Sequence, residues 1–398
     1  MRRATFIICA ALLLAPSGGA ALIPLPTRLA NALAVPGNSS DASSAVAVDL
    51  ETGRTLFARH AGLPLAPASN EKLTVSYTAL RELGAGYRFR TEVFGRGHQD
   101  HTTWQGDLIL KGYGDPTLTS LQLDRLATQI AQLGITRITG RVLADETWFD
   151  LARTAPGWKA GFFIDECPPL SALVADRASY DHHVALQPAL AAAGRFRLLL
   201  RSHGVDAGGV AAGRAPDGAL ALAQVESPPL ADVLAAMDRE SDNFAAEMIL
   251  KDIGAEVGNG GTTAAGAAIV ARDLAGAGIP LAGVRIVDGS GLSLSDRLTA
   301  QALAALLVAV WNDVDLREPF WASLPVAGVN GTLEKRLRKL PTRGAVRAKT
   351  GTTSRASALS GYVRDRYVFA VLQNGSPVAT WSARRAEDRF ATALASTP

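Results

Sequence analysis

The middle of this chain has a different residue pattern, or texture, from the stretches on either side of it. From about Tyr87 to Ala223 the sequence consists of short segments such as "RFRTEVF" and "DLILK", separated by Gly-rich turns, which is typical of β strands. The flanking stretches instead combine apolar residues at helical spacing with a few strands. We therefore expect a β-rich unit inserted into a helix-and-strand unit, whose two flanks must pair with each other across the insertion.

The flanks predict most elements of the outer unit from periodicity and turn signals. The predicted helices begin near Ser69 and cover Thr263–Ala277, Thr299–Val310 and Ser382–Ala395. The predicted strands are Ser44–Asp49, Arg54–Ala58, "AVRAKTGT", "ASALSGYV" and "YVFAVLQN". Within the insertion we predict one helix, Leu121–Leu133, and assign "RFRLLL" (residues 195–200) to a strand.

The N-terminus has the order of a secretory signal. Arg2 and Arg3 precede an apolar stretch from Ala4 to Ala15, and small residues follow. Cleavage after Ala20 and cleavage at the later Ala32-Leu33-Ala34 site both fit, and we place the signal peptide at residues 1–34. The sequence therefore predicts an exported, periplasmic protein, and no other stretch is long and apolar enough to cross a bilayer.

Charge and composition exclude several classes of partner. The chain has 398 residues, 48% of them hydrophobic, and a net charge of only +3 with both signs interleaved. A large core is possible, while nucleic acid is not expected as the main partner. His182 and His183 are neighbours, but no histidine spacing suits a catalytic zinc ion. We therefore predict neither a metal nor a cofactor.

Ser69 and Lys72 stand three residues apart at the start of the first predicted helix. Lys72 is one of only seven lysines among the forty basic residues. Residues three apart on a helix share a face, so an amine can reach a hydroxyl. A serine nucleophile needs a base, and a lysine can serve when burial and nearby positive charge lower its pKa. The spacing indicates such a pair, and a chance surface Ser and Lys is the alternative.

Two later motifs carry further hydroxyl, amide and amine groups. Ser241-Asp242-Asn243 lies between two predicted helical segments. It is either a capping turn or a proton-relaying hydroxyl beside an amide that holds a peptide group. Lys349-Thr350-Gly351-Thr352 lies in a predicted strand, where its cation and hydroxyls suit an anion and its glycine permits close approach of a ligand. The alternative for this motif is a strand end with an exposed lysine.

In this order, Ser-x-x-Lys, Ser-Asp-Asn and Lys-Thr-Gly resemble the motifs of the penicillin-recognising serine enzymes, the DD-peptidases and serine β-lactamases. Further segments resemble the class C low-molecular-mass penicillin-binding proteins, the group of penicillin-binding protein 4 type D-alanyl-D-alanine carboxypeptidases and endopeptidases. These segments are "LKGYGDPTL" (110–118), "ADETWFD" (144–150), "DGSGLS" (288–293) and "LPVAGVNGTLEKRL" (324–337).

The resemblance implies an α/β sandwich of the serine transpeptidase/β-lactamase type, in which helices flank an antiparallel sheet. Residues 35–86 and 224–398 would form this catalytic domain, and residues 87–223 an inserted β-rich domain. The insertion is shorter than in fuller members of the family. We therefore expect their third, nested domain to be missing or vestigial here.

The resemblance also implies a catalytic role for four motif residues in cleaving the bond between two terminal D-alanines of a peptidoglycan stem peptide. Ser69 would be acylated after Lys72 takes its proton, and Ser241 would pass a proton to the departing nitrogen. Asn243 would hold Lys72 and the peptide. β-Lactams would acylate the same serine as inhibitors, because they imitate the terminal dipeptide.

The substrate-binding roles follow in the same way. Lys349, with Thr350 and Thr352 around Gly351, would bind the terminal carboxylate, and the N–H groups of Ser69 and Thr352 would form the oxyanion hole. The charge of Lys349 would also help to keep Lys72 neutral. The positions that contact the rest of the stem peptide in the family correspond here to Asp145 and Phe149.

Two other functions share these motifs. A serine β-lactamase would use the same three, although no loop carrying a water-positioning glutamate is evident in the insertion. A non-catalytic penicillin-binding cell-wall protein would keep the fold without the chemistry. The balance of carboxypeptidase and endopeptidase activity and the oligomeric state stay open. The tail "RFATALASTP" has no amphipathic anchor, so we expect at most peripheral membrane contact.

Overall fold

The computed structural model describes residues 23–37, 39–180 and 183–397. Its α-helices are α1 (Leu25–Leu33), α2 (Lys72–Glu82), α3 (Ser120–Gln132), α4 (Pro188–Ser202), α5 (Leu230–Glu240), α6 (Asn243–Val257), α7 (Thr263–Gly276), α8 (Ala300–Asn312), α9 (Val314–Ser323) and α10 (Thr380–Ala395). Its strands are β1 (Ser43–Asp49), β2 (Thr55–Arg59), β3 (Arg90–Asp100), β4 (Thr103–Gly112), β5 (Arg137–Ile138), β6 (Val142–Asp145), β7 (Ser179–Tyr180), β8 (His183–Val184), β9 (Asp206–Ala207), β10 (Val210–Ala212), β11 (Leu220–Glu226), β12 (Val346–Thr352), β13 (Ala356–Val363) and β14 (Tyr367–Asn374). Within these residues no helix is long and apolar enough to span a bilayer.

The first sheet joins the two ends of the chain. Its strand order is β12-β13-β14-β1-β2, and β1 pairs with β14 in antiparallel register, with Ala45 opposite Val371. Alternate residues of β14 enter two different cores, Val368 the core under α8 and Phe369 the core under α1 and α10. Both faces are therefore buried by helices, which explains why β13 and β14 are apolar nearly throughout. The predicted antiparallel sheet flanked by helices is confirmed.

The second sheet is built from the middle of the chain. Strands β10-β6-β4-β3-β11 lie side by side, with β5 and β9 beside them, and α3 and α4 pack on this sheet through a core of their own. Its last strand, β11, continues to Glu226, beyond the predicted boundary at 223. The division into domains at these residue numbers stays a prediction.

One predicted element of this unit is wrong. The segment 195–200, assigned to a strand, lies inside α4. Its alternation of arginine and apolar residues suggested a strand, but over a longer window Ala189, Ala192, Phe196 and Leu200 recur at helical spacing and are buried on one face. Pro188 occupies the first helical position, where its missing N–H costs nothing. The helical spacing can be recognised only over the whole of α4, which is longer than the segment 195–200 that suggested a strand.

The predicted signal peptide, residues 1–34, overlaps the first helix of the structure. Residues 1–22 lie outside the described residues, but residues 25–33 form α1, which packs on α10. Leu29 and Leu33 are buried there, and Arg28 Nη2 donates a hydrogen bond to Ala393 O at 2.7 Å. Removal of residues up to 34 would expose this core. The signal-peptide boundary at 34 stays a prediction; of the two predicted cleavage sites, the one after Ala20 would leave this packing intact.

Candidate active site

The first motif forms the turn that leads into α2. A 3₁₀ turn, Ala68–Glu71, holds Ser69 half-buried, and Lys72 begins the helix with its side chain fully buried. Ala68 has φ 48°, a left-handed backbone that an alanine rarely adopts, directly before Ser69. Asn70 Nδ2 donates to Lys349 O at 3.1 Å. The turn is thus strained at one residue and tied to the strand that carries the third motif.

The Lys72 amine has three hydrogen-bond partners. Its Nζ lies 3.2 Å from Ser69 Oγ, 2.8 Å from Asn243 Oδ1 and 2.7 Å from Ser290 O. A neutral amine has two N–H donors and one lone pair. The amide and carbonyl oxygens can only accept, so they take both donors, and the lone pair is left for the Ser69 hydroxyl.

Burial lowers the pKa of the Lys72 amine. The surrounding carboxylates, among them Asp288 and Glu247, oppose this effect by favouring the ammonium form. Burial outweighs them because no carboxylate pairs directly with Nζ in the described residues; its partners there are a hydroxyl, an amide and a carbonyl. The lowered pKa increases the fraction of amine that can accept a proton.

The second motif joins two helices and combines both of its predicted roles. Ser241 follows α5 with φ 60°, and Asp242 caps α6 by accepting a hydrogen bond from Ala245 N. Asn243 begins α6, and its Nδ2 donates to Glu166 O at 3.0 Å. That contact orients the amide so that Oδ1 faces Lys72. The capping residue is therefore Asp242, while its two neighbours reach the site.

The third motif lies on β12, an edge strand of the first sheet. Lys349 is fully buried, and its Nζ donates to Ser241 Oγ at 2.8 Å and to Thr350 O at 3.2 Å. Burial, and then the charge of Lys72, lower the pKa of Lys349 to about 7. A Cβ at Gly351 would lie 2.8 Å from Pro67 O, so this glycine lets the strand approach the turn that carries Ser69. The close approach is to the protein's own backbone, where we had expected a ligand.

The three motifs meet at one cavity of about 400 Å³. Both motif serines and two residues of the third motif open onto it, and four residues outside the motifs complete the wall. The lining residues are Ser69, Ser241, Thr332, Lys335, Arg336, Thr350, Thr352 and Arg384. The structure therefore brings together eight of the ten predicted site residues, in the cavity wall or directly behind it.

Asp145 and Phe149 are not brought to this cavity. Asp145 is fully buried at the end of β6, where Oδ1 accepts from Thr147 and Oδ2 accepts from Ala215 N at 2.8 Å. Phe149 is buried in a core that includes Phe244 and Met248. Neither side chain has a surface that a ligand could reach. In this structure both side chains contact the interior of the inserted unit and its packing on α6, and their contact with the substrate stays a prediction.

Several residues of the site were missed by sequence reasoning. Ser290, whose carbonyl accepts from Lys72, lies in the segment "DGSGLS", which we had noted only as a family resemblance. Glu247 Oε1 accepts from the N–H groups of Gly289 and Ser290, and it stands four residues after Asn243 on one face of α6. That spacing was a usable signal. Arg384 had none, since it lies in the last helix far from any motif.

The arrangement suits acyl transfer through a serine. A hydroxyl faces the lone pair of a buried amine, a second hydroxyl is held by another buried amine, and the edge of β12 can receive an extended peptide. Within the described residues no group of three or more His, Cys, Asp or Glu side chains is arranged to hold a metal ion. Of the neighbouring histidines, His182 lies outside those residues.

Comparison with known proteins gives a consistent result. The sequence profile of the D-Ala-D-Ala carboxypeptidase 3 (S13) family matches residues 25–189 and 172–396. The D-alanyl-D-alanine carboxypeptidase of Actinomadura sp. (strain R39) is 32% identical, over 91% of this chain and 83% of its own. Carboxypeptidase Rv3627c of Mycobacterium tuberculosis is also 32% identical, over 95% of this chain and 86% of its own.

Solved structures show the same fold. Penicillin-binding protein 4 (dacB) from Haemophilus influenzae superposes with a TM-score of 0.82 at 21% identity, covering 94% of this chain and 98% of that one. A second structure of that protein, complexed with a β-lactam, superposes with a TM-score of 0.75 at 23% identity over the same shares. At such identities the likeness concerns the fold alone, and it agrees with the predicted fold class.

Proposed function

This chain belongs to the D-Ala-D-Ala carboxypeptidase 3 (S13) family, and from that premise we propose that it hydrolyses D-alanyl-D-alanine termini of peptidoglycan stem peptides as a serine carboxypeptidase. The observation that carries the proposal is the hydrogen bonding of Lys72. Two acceptors occupy its N–H groups, so its lone pair faces Ser69 Oγ at 3.2 Å.

Acylation begins at that pair. Lys72 takes the proton of Ser69 while Ser69 Oγ attacks the carbonyl carbon between the two D-alanines. The backbone N–H groups of Ser69 and Thr352 receive the oxyanion, because the strand and the turn meet at the cavity. Preorganised donors of this kind contribute roughly 100- to 1000-fold in rate.

The second amine–hydroxyl pair, Lys349 and Ser241, protonates the leaving group. Ser241 Oγ, hydrogen-bonded to Lys349 Nζ at 2.8 Å, delivers a proton to the departing D-alanine nitrogen. Asn243 holds Lys72 through Oδ1 and helps to bind the peptide. The hydroxyls of Thr350 and Thr352 line the side of the cavity where the terminal carboxylate binds. Water then hydrolyses the acyl-enzyme.

β-Lactams acylate Ser69 by the same route, since their ring amide and carboxylate resemble the terminal dipeptide. A serine β-lactamase would also be acylated, but it would release the product rapidly. Turnover of a chromogenic cephalosporin, compared with D-alanine release from a synthetic peptide, separates the two activities. A non-catalytic penicillin-binding cell-wall protein would take no covalent penicillin label and release no D-alanine.

The compartment in which this protein acts follows from its proposed substrate, peptidoglycan. Peptidoglycan lies outside the cytoplasmic membrane, and the charged, apolar and small-residue order of residues 1–22 suits export. We propose that the mature protein acts in the periplasm. Cleavage of cross-links would need the same chemistry on a longer leaving group.

The direct test is mass spectrometry after exposure to benzylpenicillin. We expect one covalent adduct, on the peptide that contains Ser69, and no adduct on the Ser69→Ala variant. Lys72→Met should label far more slowly while keeping the fold. An adduct on another residue, or none on the wild type, would overturn the assignment.

A further inference from the structure

The catalytic cavity has a wall of hydroxyls that is unusually well placed for an anion. Thr332, Thr350 and Thr352 all line it, and Thr350 Oγ1 and Thr332 Oγ1 share a hydrogen bond of 2.8 Å. Three cationic side chains line the same space: Lys335, Arg336 and Arg384. An anion bound here would meet hydroxyl donors and at least one positive charge.

Lys349 does not supply that charge to the open space. Its side chain is fully buried and does not line the cavity, and its amine donates to Ser241 Oγ and Thr350 O. With its pKa lowered to about 7, it also carries only part of a charge at neutral pH. An anion bound in the cavity would therefore pair with a cation other than Lys349.

Arg336 is already neutralised by its neighbours. Its guanidinium pairs with Glu387 at 2.9 Å and with Asp388 at 2.8 Å, and the whole side chain is largely buried. Arg384 is exposed at the cavity, and in the described part of the chain its guanidinium contacts no carboxylate; Nη2 donates to Thr352 Oγ1 at 3.1 Å. Since Oγ1 accepts from Arg384, the Thr352 O–H proton remains available to a ligand.

The position of Arg384 is fixed by the packing of α10. The neighbouring residues Ala383, Ala386 and Glu387 are fully buried against the first sheet, so the helix is fixed where Arg384 leaves it. Arg385, the next residue, stacks instead on the ring of Trp381, 5.1 Å from its centroid, and does not line the cavity. The two adjacent arginines thus form a matched pair, one at the site and one away from it.

We propose that Arg384 is the specificity-determining cation for the terminal carboxylate of the substrate, with Thr352 as its partner. The planar guanidinium fork can bind a carboxylate through two parallel hydrogen bonds, which the single ammonium group of a lysine cannot do. Lys349 then keeps its hydrogen bond to Ser241 Oγ and does not have to bind the carboxylate. This inference rests on the proposed carboxypeptidase function and reassigns the residue that recognises the carboxylate.

The test compares two peptides that differ only at their C-terminus. One ends in D-Ala-D-Ala with a free carboxylate, and the other ends in the corresponding carboxamide. We expect Arg384→Gln to lower kcat/KM for the acid about 10- to 100-fold, mainly through KM, while the amide changes little. Arg384→Lys should recover part of the loss. Arg385→Gln should leave both substrates unchanged.

Binding gives a second measurement that does not need turnover. In a Ser69→Ala background, Arg384→Gln should weaken binding of the acid about tenfold or more and leave the amide unaffected. Equal losses for acid and amide would overturn the inference, as would a preference for the acid that depends on Lys335 instead. If the proposed carboxypeptidase function itself is wrong, the result is different: the wild type would bind the acid peptide and release no D-alanine.

Discussion

The amine of Lys349 donates to Ser241 Oγ at 2.8 Å, so the lysine of the third motif serves the serine of the second. The lysine of the first motif, Lys72, has its Nζ 3.2 Å from Ser69 Oγ, but there the lone pair of the amine faces the hydroxyl. The site therefore contains two buried amine–hydroxyl pairs with separate roles at the start and the end of acylation. Because each amine is fully buried, the charge on one affects the protonation of the other.

The first prediction concerns the pH dependence of acylation. Lys72 must be neutral to take the proton of Ser69, so the rate should rise with pH as Lys72 loses its proton. The charge of Lys72 helps to lower the pKa of Lys349, and while Lys349 is protonated the same repulsion favours loss of the proton from Lys72. Lys349→Met removes the repulsion, so the acidic limb of the penicillin acylation rate should move to higher pH. Lys111→Met, on the second sheet, is the control; an unmoved limb in Lys349→Met would contradict this electrostatic coupling.

The second prediction concerns Glu247, which holds the loop that carries Ser290 O. Burial, together with the charge of Asp288, raises the pKa of Glu247 to about 8, which favours its protonated form. Glu247→Gln keeps the acceptor oxygen and should retain activity within a few-fold. Glu247→Ala leaves two buried N–H groups unpaired, which should cost about 1–3 kcal/mol of stability and at least about tenfold in kcat. Equal activity of the two variants would show that the loop does not depend on this acceptor.

The third prediction concerns the orientation of Asn243. An aspartate at this position would keep an oxygen towards Lys72 but would place a second oxygen against Glu166 O, where Nδ2 now donates. Its charge would also stabilise the ammonium form of Lys72. Asn243→Asp should therefore slow penicillin acylation by about 100-fold at neutral pH, with partial recovery at higher pH. Recovery should be absent in Asn243→Ala, which adds no charge.

The fourth prediction separates structure from binding at Asp145. Asp145→Ala removes three hydrogen bonds from a buried carboxylate, to two atoms of Thr147 and to Ala215 N. We expect the free energy of unfolding to fall by about 1–3 kcal/mol while KM stays unchanged in the folded fraction. Asp217→Ala, at an exposed position, should alter neither quantity. A rise in KM without loss of stability would return Asp145 to the substrate site.

The fifth prediction concerns the N-terminal helix. Leu29 is fully buried between α1 and α10, so Leu29→Ala should lower the free energy of unfolding by about 2–5 kcal/mol. Asn31→Ala, on the exposed face of the same helix, should change it by less than about 0.5 kcal/mol. Thermal unfolding of a protein that begins at residue 23, compared with one that begins at 35, checks the same packing. Equal melting temperatures would mean that α1 adds nothing to the fold.

Local pattern was enough to predict a β-rich unit inserted into a helix-and-strand unit and to bring Ser69 and Lys72 together, while the fold class and the catalytic roles followed from the family resemblance. Ser69 and Lys72 are three residues apart at a helix start, and this spacing alone places them on one face. Alternation and turn signals likewise located the strands of the first sheet, and the change of texture located the second. These properties depend on neighbouring residues along the chain, so they can be recognised without any knowledge of the tertiary contacts.

The partners of those residues were decided by packing. Lys72 meets Asn243 because α6 packs against α2, and Thr352 meets Arg384 because α10 packs against the first sheet. The burial of Asp145, the helical state of residues 195–200 and the inclusion of residues 25–33 in the core depend on surfaces formed by distant segments. Periodicity records which face of an element is apolar, but not which element covers it. For that reason Lys72 and Lys349 could be singled out from short motifs along the chain. Their hydrogen-bond partners and the burial that lowers their pKa values depend on the folded core.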